Sequence, residues 1–453
     1  MSVVHEFFDR STESDVGKAY RRESLWLDLV EESLDPLPSL EDELQADVVI
    51  VGAGFAGLWS AYFLKQKAPD VNVVIVEKEI AGFGASGRNG GACSAWWEDI
   101  FPWLKDPRTR EAAVRFQRRL IETVSRIGDI AEAEGIDCHF SHEGLIVTAA
   151  NEREVAQFSK AVHVLSKYGF AADDHRLLDE AATRSRIEVQ GACSSFFTPH
   201  TAAVQPALLA RGLAKVLRAK GVRLYERSPV RAVKPRQVVT LRGSVRAETV
   251  LMAPGAFVSE LAGFRRQLAP IHSQMIATAP LDKTLQEAIG LKRPRSFAMT
   301  GGGYGQLTAD GRIAFGARGI YYFGSRIRKR FGVDARDSKH IWTLLLSYFP
   351  ALEGVPMTHA WGGPMGISRD ERPFVFLDTS RQFGWVGGNG PAGVAQSCMA
   401  GDAMADLVLG LDTPRVNDPW VIDSMPRVWE PEPLRWLGIN GVKIWRRIFG
   451  VER

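Results

Sequence analysis

The chain has 453 residues, enough for two or three domains, and its 45% hydrophobic and 24% charged content is that of a globular protein with a sizeable core. A formal net charge of +3 is too small to argue for nucleic acid as a partner. The four cysteines (Cys93, Cys138, Cys193, Cys398) have neither CxxC nor metal-ligand spacing, the N-terminus breaks each apolar run with charge, and no apolar run could span a bilayer; the expectation is a cytoplasmic protein with reduced thiols, no signal peptide and no metal.

Residues 1–46 read as an acidic, proline-containing strap that packs Trp26 on the domain that follows. Val48–Val51 is a short apolar run of strand type, Gly52-Ala53-Gly54-Phe55-Ala56-Gly57 is GxGxxG, Leu58–Lys67 is helix-forming, and Val71–Val76 is a second strand ending in Glu77. Strand, glycine turn, helix, strand and acid in that order make the motif a dinucleotide site. Gly52 permits the tight turn, Gly54 lets a pyrophosphate approach the backbone, and Gly57 lets the helix pack closely. The helix N-terminus offers amides and a positive dipole end to phosphate. Glu77, 20 residues past Gly57, is placed for a ribose hydroxyl and would repel a 2′-phosphate.

Just past the second strand comes another glycine-rich run, Gly82-Phe83-Gly84-Ala85-Ser86-Gly87-Arg88-Asn89-Gly90-Gly91. With this run, and with Ser24-Leu25-Trp26-Leu27-Asp28 ahead of the motif, the sequence resembles the FAD-dependent amine and D-amino-acid oxidase (glycine oxidase-like) superfamily, most of all its gamma-glutamylputrescine oxidase branch. The resemblance implies non-covalent FAD, with Lys78, Gly84, Ala85, Ser86, Arg88, Asn89, Gly90 and Gly91 along the flavin and its diphosphate. It also implies a Rossmann-like α/β FAD domain and a second, discontinuous, mixed α/β substrate domain built on an antiparallel sheet. The expected domains are 47–98, 195–264 and 354–411 for FAD, 99–194 and 265–353 for substrate, and a tail from 412.

Further along, Trp96, Trp97, Phe101 and Trp103 form an aromatic cluster that reads either as a wall holding an amine by cation–π contact or as core packing. Apolar residues at spacings of three and four predict a helix over 108–135, followed by a strand at 144–148 and a helix at 151–167. Pro206 opens a helix that runs to Lys220. By resemblance, Val230 meets the adenine end of FAD, and Gly255 belongs to the strand end that closes the site, with Pro254 where the family has threonine. Thr308–Arg312 reads as a hairpin turn with Asp310-Gly311 at its tip, and Gln306 stands where the family usually has arginine. Gly388, Asn389, Gly390, Gly393 and Val394 open the last helix, over 395–409, beside the flavin pyrimidine edge, and Ala392 replaces a common histidine. From Val442 the tail has apolar Ile444, Trp445, Ile448, Phe449 and Val451 on one arc and Lys443, Arg446, Arg447 and Arg453 on the other. This basic amphipathic helix reads as packing on its own domain or as a docking element for a partner or the inner face of a membrane.

No second strand–GxGxxG–helix exists for a nicotinamide, so electrons would enter from a small molecule and leave to oxygen, a quinone or a carrier. The resemblance implies an amine or amino-acid substrate giving hydride to flavin N5 and an imine that hydrolyses. Trp361 and Asn389 are the expected active-site residues, Arg318 the expected anchor for a carboxylate, and Trp96, Trp97 and Trp361 the pocket. His200 and His272 read as structural. Three readings follow: an oxidase making hydrogen peroxide, a dehydrogenase feeding a quinone or carrier, and a flavoprotein that binds without turnover.

Overall fold

The computed structural model describes residues 9–97, 100–328 and 335–448. Val48–Val51 and Val73–Val76 are buried at every position, as strands covered on both faces must be: helices lie against Val48, Ile50, Val73 and Ile75, and Val238, Val258 and Leu261 pack against Val49, Val51, Val74 and Val76. They belong to a nine-stranded sheet. Glu43–Val51 pairs in parallel with Ser244–Met252 on one side and with Val73–Val76 on the other, and Arg223–Tyr225 extends the latter edge. Phe383–Gly387 continues the parallel run beside Ser244–Met252, and Phe374–Asp378 then turns back antiparallel. Val230–Lys234 and Gln237–Thr240 hang from Ser244–Met252 as a small antiparallel meander.

The glycine-turn helix Phe55–Lys67 and the late helix Gly393–Val408 pack directly on one another. Gly401 makes this possible, since a Cβ there would stand 2.7 Å from the Ser60 amide nitrogen and 2.8 Å from the Trp59 Cβ. At the far end Lys67 pairs with both Asp402 and Asp406; Arg126 reaches Asp402 at 2.5 Å and Arg415 reaches Asp406 at 2.6 Å. The two carboxylates are buried, and three cations around them meet the cost of taking them out of water.

An eight-stranded sheet forms the second layer, in the order Met357–Ile367, Ala269–Thr278, Ile313–Tyr321, Gly303–Leu307, Arg295–Met299, Leu145–Ala149, Ser194–Thr198 and Arg176–Leu178. Every neighbouring pair is antiparallel except Arg295–Met299 with Leu145–Ala149. Alternation along Ala269–Thr278 divides its faces. Ile276 joins the core beneath the helix Ala335–Tyr348, with Phe315, Ile341 and Leu345, whereas Met275 and Ala277 join Trp361 and the strap residues Leu25, Trp26 and Leu27. The expected turn holds: Asp310-Gly311 links two antiparallel strands, with Gly311 at φ +80°.

Two expected domain limits shift. Residues 195–198 of Ser194–Thr198 and the strand Met357–Ile367, placed from sequence in the nucleotide domain, hydrogen-bond into the eight-stranded sheet. Met357–Ile367 becomes an edge strand because its main chain finds its ladder on Ala269–Thr278, a partner some eighty residues earlier that local pattern does not reveal. The expected helices at 108–135, 151–167 and 206–220 occur as Arg110–Ala133, Glu152–Lys167 and Pro206–Ala219.

Gly401→Leu should drive the two packed helices apart. Stability should fall by about 2 kcal/mol, seen as a lower urea midpoint at unchanged slope.

Candidate functional site

At the first glycine turn, Gly52 has φ +106° and lies against the Ala253 carbonyl, and a Cβ on Gly57 would stand 2.0 Å from the Gly52 carbonyl oxygen. Gly57 therefore lets the helix close on the turn itself. The helix takes no side-chain cap from Gly54; the Ser86 hydroxyl, from the second glycine-rich run, accepts the Phe55 N–H at 2.9 Å. Glu77 accepts the Ala53 N–H at 2.7 Å and the Glu79 N–H at 2.9 Å. Burial nevertheless dominates and pushes its carboxyl up to about 7. Lys78 pairs with Glu260 and stands over the Phe257 ring at 5.2 Å, next to the Gly255 turn. Val230 begins its strand half-buried in the core on that side of the sheet.

The Gly82–Gly91 run is held by donors from distant parts of the chain. Ser24 Oγ donates to the Gly87 carbonyl at 2.8 Å, Trp361 Nε1 to Arg88 at 2.9 Å, and Trp26 Nε1 to Asn89 at 2.7 Å. Asn89 spends its own side chain inside the turn, donating to Ala85 and Ser86 and accepting the Gly91 N–H. Arg88 is expected along the diphosphate. Its buried guanidinium donates to the carbonyls of Phe83 and Gly362 and pairs with Glu23 at 2.9 Å, so its charge is neutralised within the protein. Burial lowers its pKa.

Trp361, expected at the active site and in the pocket, is 1% exposed, gives its N–H to the Arg88 carbonyl and sets its ring edge-on to Trp26 at 6.1 Å, so its side chain holds the turn. The aromatic pair divides. Trp97 is buried in the core at 4.7 Å from Phe116, so it packs under the helix and lines no pocket, whereas Trp96 is half-buried against Phe196 at 5.8 Å. Arg318 has its backbone in the Ile313–Tyr321 strand, at a bulge: Tyr321 pairs with His272 and Ala317 with Gln274, leaving Arg318, Gly319 and Ile320 opposite Ser273. The Arg318 side chain lies outside the described residues. His200 is no lone histidine, since it pairs with Asp174 at 2.9 Å, and His272 is fully buried with its Nε2 accepting the Arg328 N–H; burial lowers its pKa to about 4.

On the remaining side, Gly388 has φ +72°, and Asn389 donates through Nδ2 to Ser397 while its Oδ1 is buried without a donor. The helix Gly393–Val408 starts with no side-chain cap. The Met357–Ile367 strand touches both this turn and Ala85–Gly87, so the two glycine turns share one site. Sequence reading missed Tyr304 and Met275 there. The Tyr304 ring lies 3.2 Å and the Met275 methyl 3.9 Å from where a Gly90 Cβ would stand, and Gln306 donates to the Val204 carbonyl beside Gly91. Period-two alternation from Tyr304 to Gln306 is the signal that could have found Tyr304.

Two helix starts at glycine turns, one without a side-chain cap, a half-buried carboxylate at Glu77, an unpartnered acceptor at Asn389 and glycine backbones at close approach fit an extended dinucleotide, and the site is that of a nucleotide-cofactor oxidoreductase. The chain belongs to the family of FAD dependent oxidoreductases, whose model matches residues 47–407, and FAD is that family's cofactor. It is 28% identical over 389 residues to gamma-glutamylputrescine oxidoreductase of Escherichia coli, covering 83% of this chain and 86% of that one, and 27% identical over 397 residues to the probable oxidoreductase OrdL of Haemophilus influenzae, covering 83% and 85%. Among solved structures, glycine oxidase from Geobacillus kaustophilus superposes with a TM-score of 0.69 at 20% identity, over 82% of this chain and 96% of that one.

Glu77 has a folded pKa of about 7 against 4.5 for a free carboxyl, so it binds its proton more tightly folded than unfolded. Its contribution to stability is full below about pH 4.5 and is lost as the pH rises through about 7. The melting temperature of FAD-free protein should therefore fall between about pH 5 and 8, and Glu77→Gln should flatten that part of the profile.

Proposed function

We propose that the protein oxidises the C–N bond of a primary or secondary amine or an amino acid, passing two electrons to oxygen to give hydrogen peroxide and releasing an imine that hydrolyses. The observation that carries this reading is the face of the second sheet, where Met275, Tyr304 and Gly316 lie over the Gly90–Gly91 turn. A small molecule held there would lie between that face and the cofactor. The names of the relatives, a gamma-glutamylputrescine oxidoreductase and a glycine oxidase, support an amine or amino acid as the substrate class.

Non-covalent FAD, when bound, supplies the two-electron acceptance. The chain's residues do the rest. Glu77 and the amides at the start of Phe55–Lys67 would hold the ribose and diphosphate. The uncapped start of Gly393–Val408 stabilises negative charge at the site, and Asn389 Oδ1, buried without a donor, could accept an N–H of the bound group at the same edge. Tyr304 and Met275 exclude water above the turn. Tyr304 lies flat along Gly316, where a Cβ would stand 2.5 Å from its ring. Arg318, in the bulge two residues beyond Gly316, is the proposed anchor for a substrate carboxylate. No acid or base side chain is required if the amine arrives neutral.

Anaerobic addition of amines, amino acids and N-methyl compounds to the yellow protein should bleach the flavin with at least one of them, and air should restore the colour with peroxide. Colour that stays bleached in air would replace oxygen with another acceptor; no bleaching by any compound would remove the amine reading. Tyr304→Ala should keep the flavin and lower kcat/KM roughly tenfold by loosening the bound geometry.

A second reading, in which electrons leave to a membrane quinone, is favoured by the tail helix Leu434–Ile448. Its first turn folds Arg435 inward, to Glu432 and Ser325, and Ile439 packs beside Trp429. Leu434 (58%), Trp436 (46%) and Leu437 (55%) face solvent. Lys443, Arg446 and Arg447 follow in the sequence, and the combination suits an anionic lipid surface. Residues 449–453 lie outside the described residues. The protein should sediment with phosphatidylglycerol vesicles and not with phosphatidylcholine vesicles, and Leu434→Glu with Leu437→Glu should abolish this; no binding to either would remove the membrane reading.

A further inference from the structure

We propose that the N-terminal strap is a clamp on the flavin turn, so that strap docking and FAD binding are reciprocally coupled, with Ser24 and Trp26 as positioning residues. The inference rests on FAD occupying this site. Three successive carbonyls, of Gly87, Arg88 and Asn89, accept from side chains outside the turn, and two of those donors, Ser24 and Trp26, come from the strap. A third strap residue, Glu23, neutralises Arg88 within the same turn. If the strap lifts, one buried carbonyl, one part-buried carbonyl and one buried guanidinium lose their partners together, and each loss is costly.

The turn cannot hold itself as well without them. It begins and ends on glycines with positive φ, Gly82 at +80° and Gly91 at +73°, and such a segment has many alternative conformations. The strap in turn depends on the site. Leu25, Trp26 and Leu27 are fully buried, yet their cover is the turn, the Met357–Ile367 strand and the start of the helix Pro206–Ala219, where Gln205 donates to the Trp26 carbonyl at 2.7 Å. A ligand that orders the turn therefore favours the docked strap, and a docked strap favours the ligand by the same factor. A strap that is only core packing would dock equally with or without FAD.

Trypsin tests this on the full chain, because exposed Arg22 lies two residues before Ser24 and the Arg22–Glu23 bond can enter a protease only when the strap opens. Cleavage at Arg22, followed by mass, should be roughly tenfold slower with FAD bound than after FAD is removed. Release of FAD from the holoenzyme, followed by flavin fluorescence, should show a Kd raised about five- to tenfold by Trp26→Phe, which keeps a ring and removes the N–H. Ser24→Ala should shift it in the same direction and serves if Trp26→Phe does not fold. Equal cleavage with and without FAD, or a wild-type Kd in both variants, would overturn the clamp. Wild-type protein that takes up no FAD would instead overturn the cofactor assignment.

Discussion

A run of main chain caught between two sheets must find a partner for each of its polar groups, and the turn at Gly87–Asn89 is where this fold meets that demand. Its carbonyls are satisfied by one hydroxyl and two indoles, drawn from the strap and from the edge of the second sheet. Much of the architecture follows. Met357–Ile367 must run close enough to deliver Trp361, and the strap must cross the turn to deliver Ser24 and Trp26. Arg88 can be buried only because Glu23 arrives with them. Arg88 and Trp361 are thus strong groups spent on building the site, which explains why neither is free for a cofactor or substrate.

The nucleotide half was legible because its chemistry is local. Gly52, Gly54, Gly57 and Glu77 sit within one strand–helix–strand unit, and each has a backbone reason for its identity that needs no knowledge of the rest of the chain. Trp361 illustrates the opposite case. Its bond to Arg88 spans 273 residues, and nothing in the spacing of either residue announces the other. Trp96 and Trp97 were legible as a cluster and not as individuals. Adjacent residues on extended chain point to opposite sides, so one reached the core at Phe116 and the other the surface of the second sheet at Phe196. Tyr304 escaped because its neighbour Gly90 is remote in the sequence, and only the pairing of Gly303–Leu307 with strands on both sides brings the two together.

The two helices that begin at the glycine turns are also a single mechanical unit. Gly401 lets them touch near Ser60, and the carboxylates of Asp402 and Asp406 lock them to Lys67 one end away from the site. Their N-termini are consequently fixed relative to each other by packing and buried charge well removed from the ligand. That rigidity matters for electrostatics, because a dipole end stabilises charge most when it need not reorganise to do so.

The remaining freedom lies in the second sheet. The carbonyl-satisfying set constrains Trp361 and Gly362 on the edge strand, and Gln306 is tied to Val204. The backbone bulge at Arg318–Ile320 interrupts the ladder between Ala269–Thr278 and Ile313–Tyr321, and a bulge can re-aim a side chain without disturbing the ladder on either side. The bulge is therefore the part of this face whose side chains could change with least disturbance to the ladder around the turn.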